Sequence, residues 1–370
     1  MTLRIVLSLL LLTIGIAHPH SHNLIIDHNK EIVFGMSGFF TGHFGLYGNT
    51  IKQAIECCFK KVNASGGVHG KTLRLVAVED HDEPATTYNN VVRLYKDHGI
   101  TMFIGIMGTR GVIKLLPLIK NGSIAVFFPW GGDQALRESS LTHIINGPGL
   151  LDAQVNAIAQ YITGTLDKRS VGIFHADDTF STAGASMLNH ALTRHEHTIV
   201  SQASYNRFTM AINAHIKPLI AADPKIVACF STSQPAANVI NTFFTQGHFD
   251  TLFIGIDSTF LVPDLLRGKG VNFHYTSLVP NPITSTMPIV QEYRKAFDQY
   301  VPQEPYSTLS CMYYLGASIL ADALQSLNGD CSKEALLTHL AALKNYDFKG
   351  FNLTFNPHNR HLFGEKVWII

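Results

Sequence analysis

The chain has 370 residues, with 28 Lys and Arg against 27 Asp and Glu, a formal net charge of +1. That balance excludes the basic footprint of a nucleic-acid or anionic-membrane binder. Charged residues are only 15% of the chain while 46% is hydrophobic, less charge than the usual quarter, which fits a large buried core with polar but uncharged loops.

Residues 1–17 hold a single cation, Arg4, an apolar run over 5–12, and the small residues Gly15 and Ala17 at the −3 and −1 positions of a cleavage site. This is the pattern of a secretory signal peptide. The apolar run is shorter than the ~20 residues of a membrane span, so no membrane insertion of the mature chain is expected. No cysteine follows to carry a lipid anchor. Removing these 17 of 370 residues leaves 353, more than one hydrophobic core usually organises, so two lobes are expected. Residues 18–30 read as a flexible, histidine-rich N-terminus. His18, His20 and His22 are imidazoles able to chelate a transition metal. The alternative is a processing tail with incidental histidines, and no metal is assigned.

The first strand shows the alternation Ile32, Phe34, Met36, and the glycine-broken stretch 41–48 reads as a loop before a helix. A strand, a small-residue loop and a helix put backbone N–H groups at the C-terminal end of a parallel sheet, where open α/β sheets receive ligands. Further strands are read at 73–78, 102–106, 125–128, 171–175, 199–203, 226–230 and 252–256. Helices fall between them at 86–97, 112–120, 151–164, 183–195, 210–221 and 235–246, followed by 307–327 and 333–343. Strict alternation implies right-handed crossovers and parallel sheets flanked by helices. Five cysteines leave at least one unpaired, Cys57 and Cys58 are helical neighbours, and Cys311 and Cys331 bracket a helix whose ends lie too far apart to bridge. No disulfide framework is expected.

The segments Thr41-Gly42-His43-Phe44-Gly45-Leu46-Tyr47-Gly48, Val62-Asn63-Ala64-Ser65-Gly66-Gly67-Val68-His69-Gly70-Lys71 and Glu79-Asp80-His81-Asp82-Glu83-Pro84 together resemble the start of type I periplasmic solute-binding proteins, the branched-chain amino-acid (Leu/Ile/Val) receptor family of ABC transporters. The resemblance implies two Rossmann-like α/β lobes with parallel sheets joined by a three-strand hinge. Interruptions near 141–146 and at the proline-rich 279–282 mark two crossings, and the tail from 349 supplies the third. Lobe 1 is then 31–142 plus 283–347, and lobe 2 is 143–282 plus 348–370. It also implies a periplasmic, non-enzymatic chain that holds a small-molecule ligand without a cofactor and delivers it to an ABC transporter permease. A sensory module regulating a partner protein is the second reading and an extracytoplasmic enzyme the third. No H-E-x-x-H, G-x-S-x-G or P-loop pattern occurs.

Carried over position by position, the resemblance places Tyr47 beside the ligand, where the alternative is simple packing. It gives Thr109 a hydroxyl for a ligand carboxylate at a helix start, where the alternative is an N-cap. The family's small-residue turn with a threonine is here Phe128-Pro129-Trp130-Gly131-Gly132-Asp133. Gly131 and Gly132 keep the backbone N–H groups accessible, without a hydroxyl at Gly132, and Trp130 adds either a stacking wall or a core ring. Arg110 either complements an acidic ligand or starts a helix in solvent. In the second lobe Phe180 would cover the ligand and Ser231 would line it. Asp257 would meet the ligand's ammonium or cap the short helix after it.

Overall fold

The computed structural model describes residues 24–147, 150–165, 170–195, 197–213, 215–364 and 366–370, so the signal-peptide and His18–His22 expectations lie outside the described residues. Strand β1 (Glu31–Gly38) is buried over all but its first residue, as a strand covered by helices on both faces must be. It leads into α1 (Gly45–Ala64), β2 (Thr72–Glu79), α2 (Pro84–His98), β3 (Met102–Ile104), α3 (Thr109–Lys114), α4 (Leu116–Lys120), β4 (Ala125–Phe127) and β5 (Ile144–Ile145). The second series is α5 (Leu151–Thr165), β6 (Ser170–Ala176), α6 (Thr179–Thr193), β7 (Thr198–Tyr205), α7 (Lys217–Ala221), β8 (Ile226–Phe230), α8 (Ser233–Thr245), β9 (Leu252–Gly255), α9 (Val262–Leu265) and β10 (Phe273–Ser277). Helices α10 (Pro288–Tyr300), α11 (Thr308–Gln325) and α12 (Lys333–Ala341), the hairpin β11 (Tyr346–Phe348) and β12 (Phe351–Leu353), and β13 (Trp368–Ile369) complete the chain.

Two sheets result. One has the order β2-β1-β3-β4-β5 and is wholly parallel; the other has the order β13-β10-β9-β8-β6-β7, parallel except for β13. The expected two-lobed α/β fold is therefore present. The chain leaves the first sheet after β5, returns after β10 to place α10 and α11 against α1, and ends by adding β13 to the second sheet. Phe351, Leu353, Phe355 and Phe363 join the core that also holds Ile51, Ile55, Met312 and Leu320. Helix α11 is apolar nearly all round because it is enclosed on all sides. Its start is fixed by a reciprocal capping box between Ser307 and Ser310.

Three local expectations change. The stretch 41–48 is not a loop throughout: a 3₁₀ turn at Gly42–Phe44 runs directly into α1. Its glycines serve close approach, since a Cβ on Gly48 would lie 2.0 Å from the Phe39 carbonyl oxygen and one on Gly45 2.7 Å from that of Phe40. The expected helix at 112–120 is two short helices broken at Leu115, with Pro117 in the first turn of the second. The expected helix at 210–221 is reduced to α7, because Met210 takes a left-handed conformation (φ 52°) and Pro218 sits in the first turn.

Candidate functional site

The C-terminal ends of both sheets face one cleft, partly open to solvent, with about 800 Å³ of empty space counting the open solvent at its mouth. This is where the topology of open parallel sheets places ligands. Of the nine residues expected at the site, seven line it: Thr109, Trp130, Gly131 and Gly132 from the first sheet's loops, and Phe180, Ser231 and Asp257 from the second's.

The first-lobe wall is a backbone cradle. Gly108 caps α3 at φ 83°, where a Cβ would also strike Asp82 Oδ1 at 2.9 Å, so only glycine fits. Thr109 is thus the first helical residue and not the cap; it lines the cleft, and its hydroxyl has no hydrogen-bond partner among the described residues. Gly131 lies against it, because a Cβ there would sit 3.3 Å from Thr109 Cα. The turn carrying Trp130 is set by Phe128, a buried residue at φ 52°. Such a conformation is costly for a bulky side chain. It is held by the Phe363 ring at 5.1 Å and by Gly147 and Gly316, where Cβ atoms would meet the Phe128 ring at 2.7 and 2.9 Å. No backbone hydrogen bond among the described residues takes up the N–H groups of Thr109, Arg110, Gly131 or Gly132.

The second-lobe wall is acidic and aromatic. Asp178 caps α6 by accepting from Ser181 N at 2.8 Å, which fixes Phe180 in the first turn. Ser231 is committed within its own lobe: Tyr205 Oη lies 2.9 Å from its Oγ, which donates to Thr232 O. Asp257 opens a 3₁₀ turn whose cap position is Ile256, so its carboxylate does not cap. Its N–H donates to Gln154 Oε1 at 2.9 Å, and its Oδ2 is buried with no hydrogen-bond partner among the described residues. Burial pushes its pKa up to about 6, partly offset by the Gln154 side chain and the Ser258 N–H.

Tyr47 and Arg110 do not line the cleft. Tyr47 is buried behind Trp130, stacked on it at 5.2 Å and 21°. Its phenol crosses to the other lobe, accepting from Ser233 N at 2.9 Å and lying 2.9 Å from Ser258 O and 3.0 Å from Ser233 Oγ. Arg110 turns to Asp82, donating to its carbonyl at 3.1 Å with the carboxylate at 3.5 Å. The sequence reading missed Phe39, Phe44, Asp178, Tyr205 and Arg207, all in the lining. The last two sit at or just after a strand's C-terminal end, and β7 runs to Tyr205, two residues past the expected end at 203.

The profile of the periplasmic binding proteins matches residues 31–369. The chain belongs to that family. This periplasmic binding protein is 21% identical over 350 residues to a Leu/Ile/Val-binding protein homolog 8 of Brucella abortus, covering 90% of this chain and 86% of the other. It is also 21% identical over 217 residues to an amino acid binding protein of Pseudomonas aeruginosa, covering 59% of this chain and 58% of that protein's length. Among solved structures, a possible leucine/isoleucine/valine-binding protein of Rhodopirellula baltica superposes with a TM-score of 0.82 at 26% identity, covering 92% of this chain and 93% of that one. The substrate-binding protein LivJ of Streptococcus pneumoniae, solved with isoleucine, gives 0.79 at 16% identity over 92% and 95%. The resemblance to the branched-chain receptor group and the type I fold are thereby borne out. Among the described residues no helix is long and apolar enough to cross a membrane.

Proposed function

We propose that this periplasmic binding protein closes its two lobes, one built on the sheet β2-β1-β3-β4-β5 and the other on the sheet β13-β10-β9-β8-β6-β7, around an amino acid or related small carboxylate and delivers it in the periplasm to the permease of an ABC importer. The observation that carries this reading is the complementarity of the two walls. Unused N–H groups and the Thr109 hydroxyl on one side suit a carboxylate, and the Asp257 carboxylate opposite, whose Oδ2 has no hydrogen-bond partner among the described residues, suits an ammonium. An unpaired buried charge is costly in itself, and a ligand cation relieves that cost. The rings of Phe39, Phe44, Trp130, Phe180 and Tyr205 line the space between, which suits an apolar or aromatic ligand side chain, and the helix-start donors suit a carboxylate better than a ring of hydroxyls. The names of the relatives point the same way. We read the chain as a carrier and not an enzyme, in keeping with its family.

A thermal-shift panel of amino acids, aromatic acids and sugars tests the class, because a bound ligand raises apparent stability by mass action. Amino acids should stabilise and sugars should not; stabilisation by sugars alone defeats the reading. For the cradle, Thr109→Val should weaken leucine by about 1.5–3 kcal/mol, the worth of a hydrogen bond to a charged group. Leucinamide should lose affinity for the parent protein and be indifferent to the mutation. Calorimetry showing equal affinities for all four pairings removes the assigned role.

A further inference from the structure

The sheet orders locate the mouth of the cleft. The chain passes between lobes at β5 and at β10, whereas β2 and β7 are the opposite edge strands of their sheets. Each lies four strand spacings, about 19 Å, from the connection. Rotation of one lobe about the connections therefore parts the loops after β2 and β7 more than any other pair of strand ends. Those two loops carry Asp82 and Arg207.

Arg207 Nη2 donates to Asp82 Oδ2 at 2.8 Å, and the guanidinium lies 5.1 Å from the centre of the Phe44 ring, also on the first lobe. Both charged side chains are largely withdrawn from water, at 25% and 13% exposure, so the pair is worth more than an ordinary surface bridge. On its own lobe Arg207 has a second acid within reach, Asp178 Oδ2 at 4.0 Å from Nη1, and the Phe208 ring at 5.3 Å. Asp82 is held in place by Arg110 at 3.5 Å.

We propose that Arg207 and Asp82 form a closure clasp at the mouth of the cleft: Arg207 pairs with Asp82 when the lobes meet and returns to Asp178 when they part. The guanidinium is never left without an acid, so opening costs the difference between two ion pairs and not the exposure of a bare charge. Because Arg207 also lines the cleft, the same side chain walls the ligand and holds the lobes together. The clasp rests on the reading that the lobes move, but not on which ligand they enclose.

The test uses no ligand. Spin labels at Asn89→Cys on α2 and Lys217→Cys on α7, both exposed, in a Cys331→Ser background report the interlobe distance by double electron-electron resonance. At about 20 mM salt the parent should show a short-distance population that shrinks as salt screens the pair toward 500 mM. Asp82→Asn and Arg207→Gln should each cut that population at least threefold, and the double variant should cut it no further than either. Should Asp82→Asn not fold, Arg207→Gln on the other lobe carries the same test. A parent without the short-distance population, single variants that leave it unchanged, or a double variant whose effects add would each overturn the clasp. Failure of amino acids to bind leaves this readout untouched.

Discussion

An Asp257→Asn variant is expected to bind leucine about 2–5 kcal/mol more weakly than the parent, because the truncated partner leaves the ligand's ammonium buried and unpaired. Asparagine keeps the shape and loses the charge, so the result isolates electrostatics from packing. The same carboxylate sets the pH dependence. Its folded pKa is raised, from an ordinary value near 3.8 to about 6, so its ionised form is penalised in the empty protein. The contribution of Asp257 to stability without ligand, read as the difference between the parent and Asp257→Asn, should therefore fall as pH rises from about 4 to about 6 and level off above that. Leucine binding should run the other way. The ammonium needs the ionised carboxylate, so affinity should climb as pH rises through 6, with protons released on binding at pH 5.5. Calorimetry at pH 5, 6 and 7.5 in buffers of different ionisation enthalpy measures both effects. Asp257→Asn should flatten the pH profile as well as weaken binding; a variant with parental affinity and a parental profile would remove Asp257 from the site.

The β/α alternation made the fold legible in the sequence, because buried parallel strands such as β8 and β9 are short unbroken apolar runs between amphipathic helices. The site was legible where it depends on backbone. Gly131 and Gly132 lie at a strand's end, and their lack of side chains points to close approach whichever ligand is present. What the sequence did not reveal is side-chain direction across the cleft. Tyr47 is expected at the ligand because it matches an aromatic position beside the ligand in the first lobe of the family. Yet Gly45 and Gly48 draw α1 so close to the end of β1 that the helix starts early and turns the phenol past Trp130 toward the other lobe. Arg110 sits in the first turn of α3 and Arg207 just past β7, and only the three-dimensional position of Asp82 shows that one anchors it and the other reaches it from across the mouth.

Tyr47→Phe is expected to weaken leucine binding roughly 5- to 150-fold without removing any ligand contact, equivalent to about 1–3 kcal/mol of coupling. The first residue of α8, Ser233, has an N–H that the helix cannot use, and Thr232 at the cap position offers no side-chain bond to this end. The phenol of Tyr47 takes that N–H from the opposite lobe at 2.9 Å. Burial pushes the phenol's pKa up to about 12, so it remains a neutral donor as well as an acceptor at any working pH. Ser258 O also accepts from Ser233 Oγ at 3.0 Å and keeps a partner in the variant. The Ser233 N–H does not, and a buried donor left unsatisfied costs about 1–3 kcal/mol. With the lobes apart, water can satisfy it, so the penalty falls on the closed state, the one that holds ligand, and appears mainly as faster release. The stack on Trp130 survives the change, so stopped-flow tryptophan fluorescence can follow both proteins. Faster dissociation with a nearly unchanged association rate is the expected signature. An unchanged dissociation rate would show that the Tyr47 bond persists when the lobes part and so takes no share in closure.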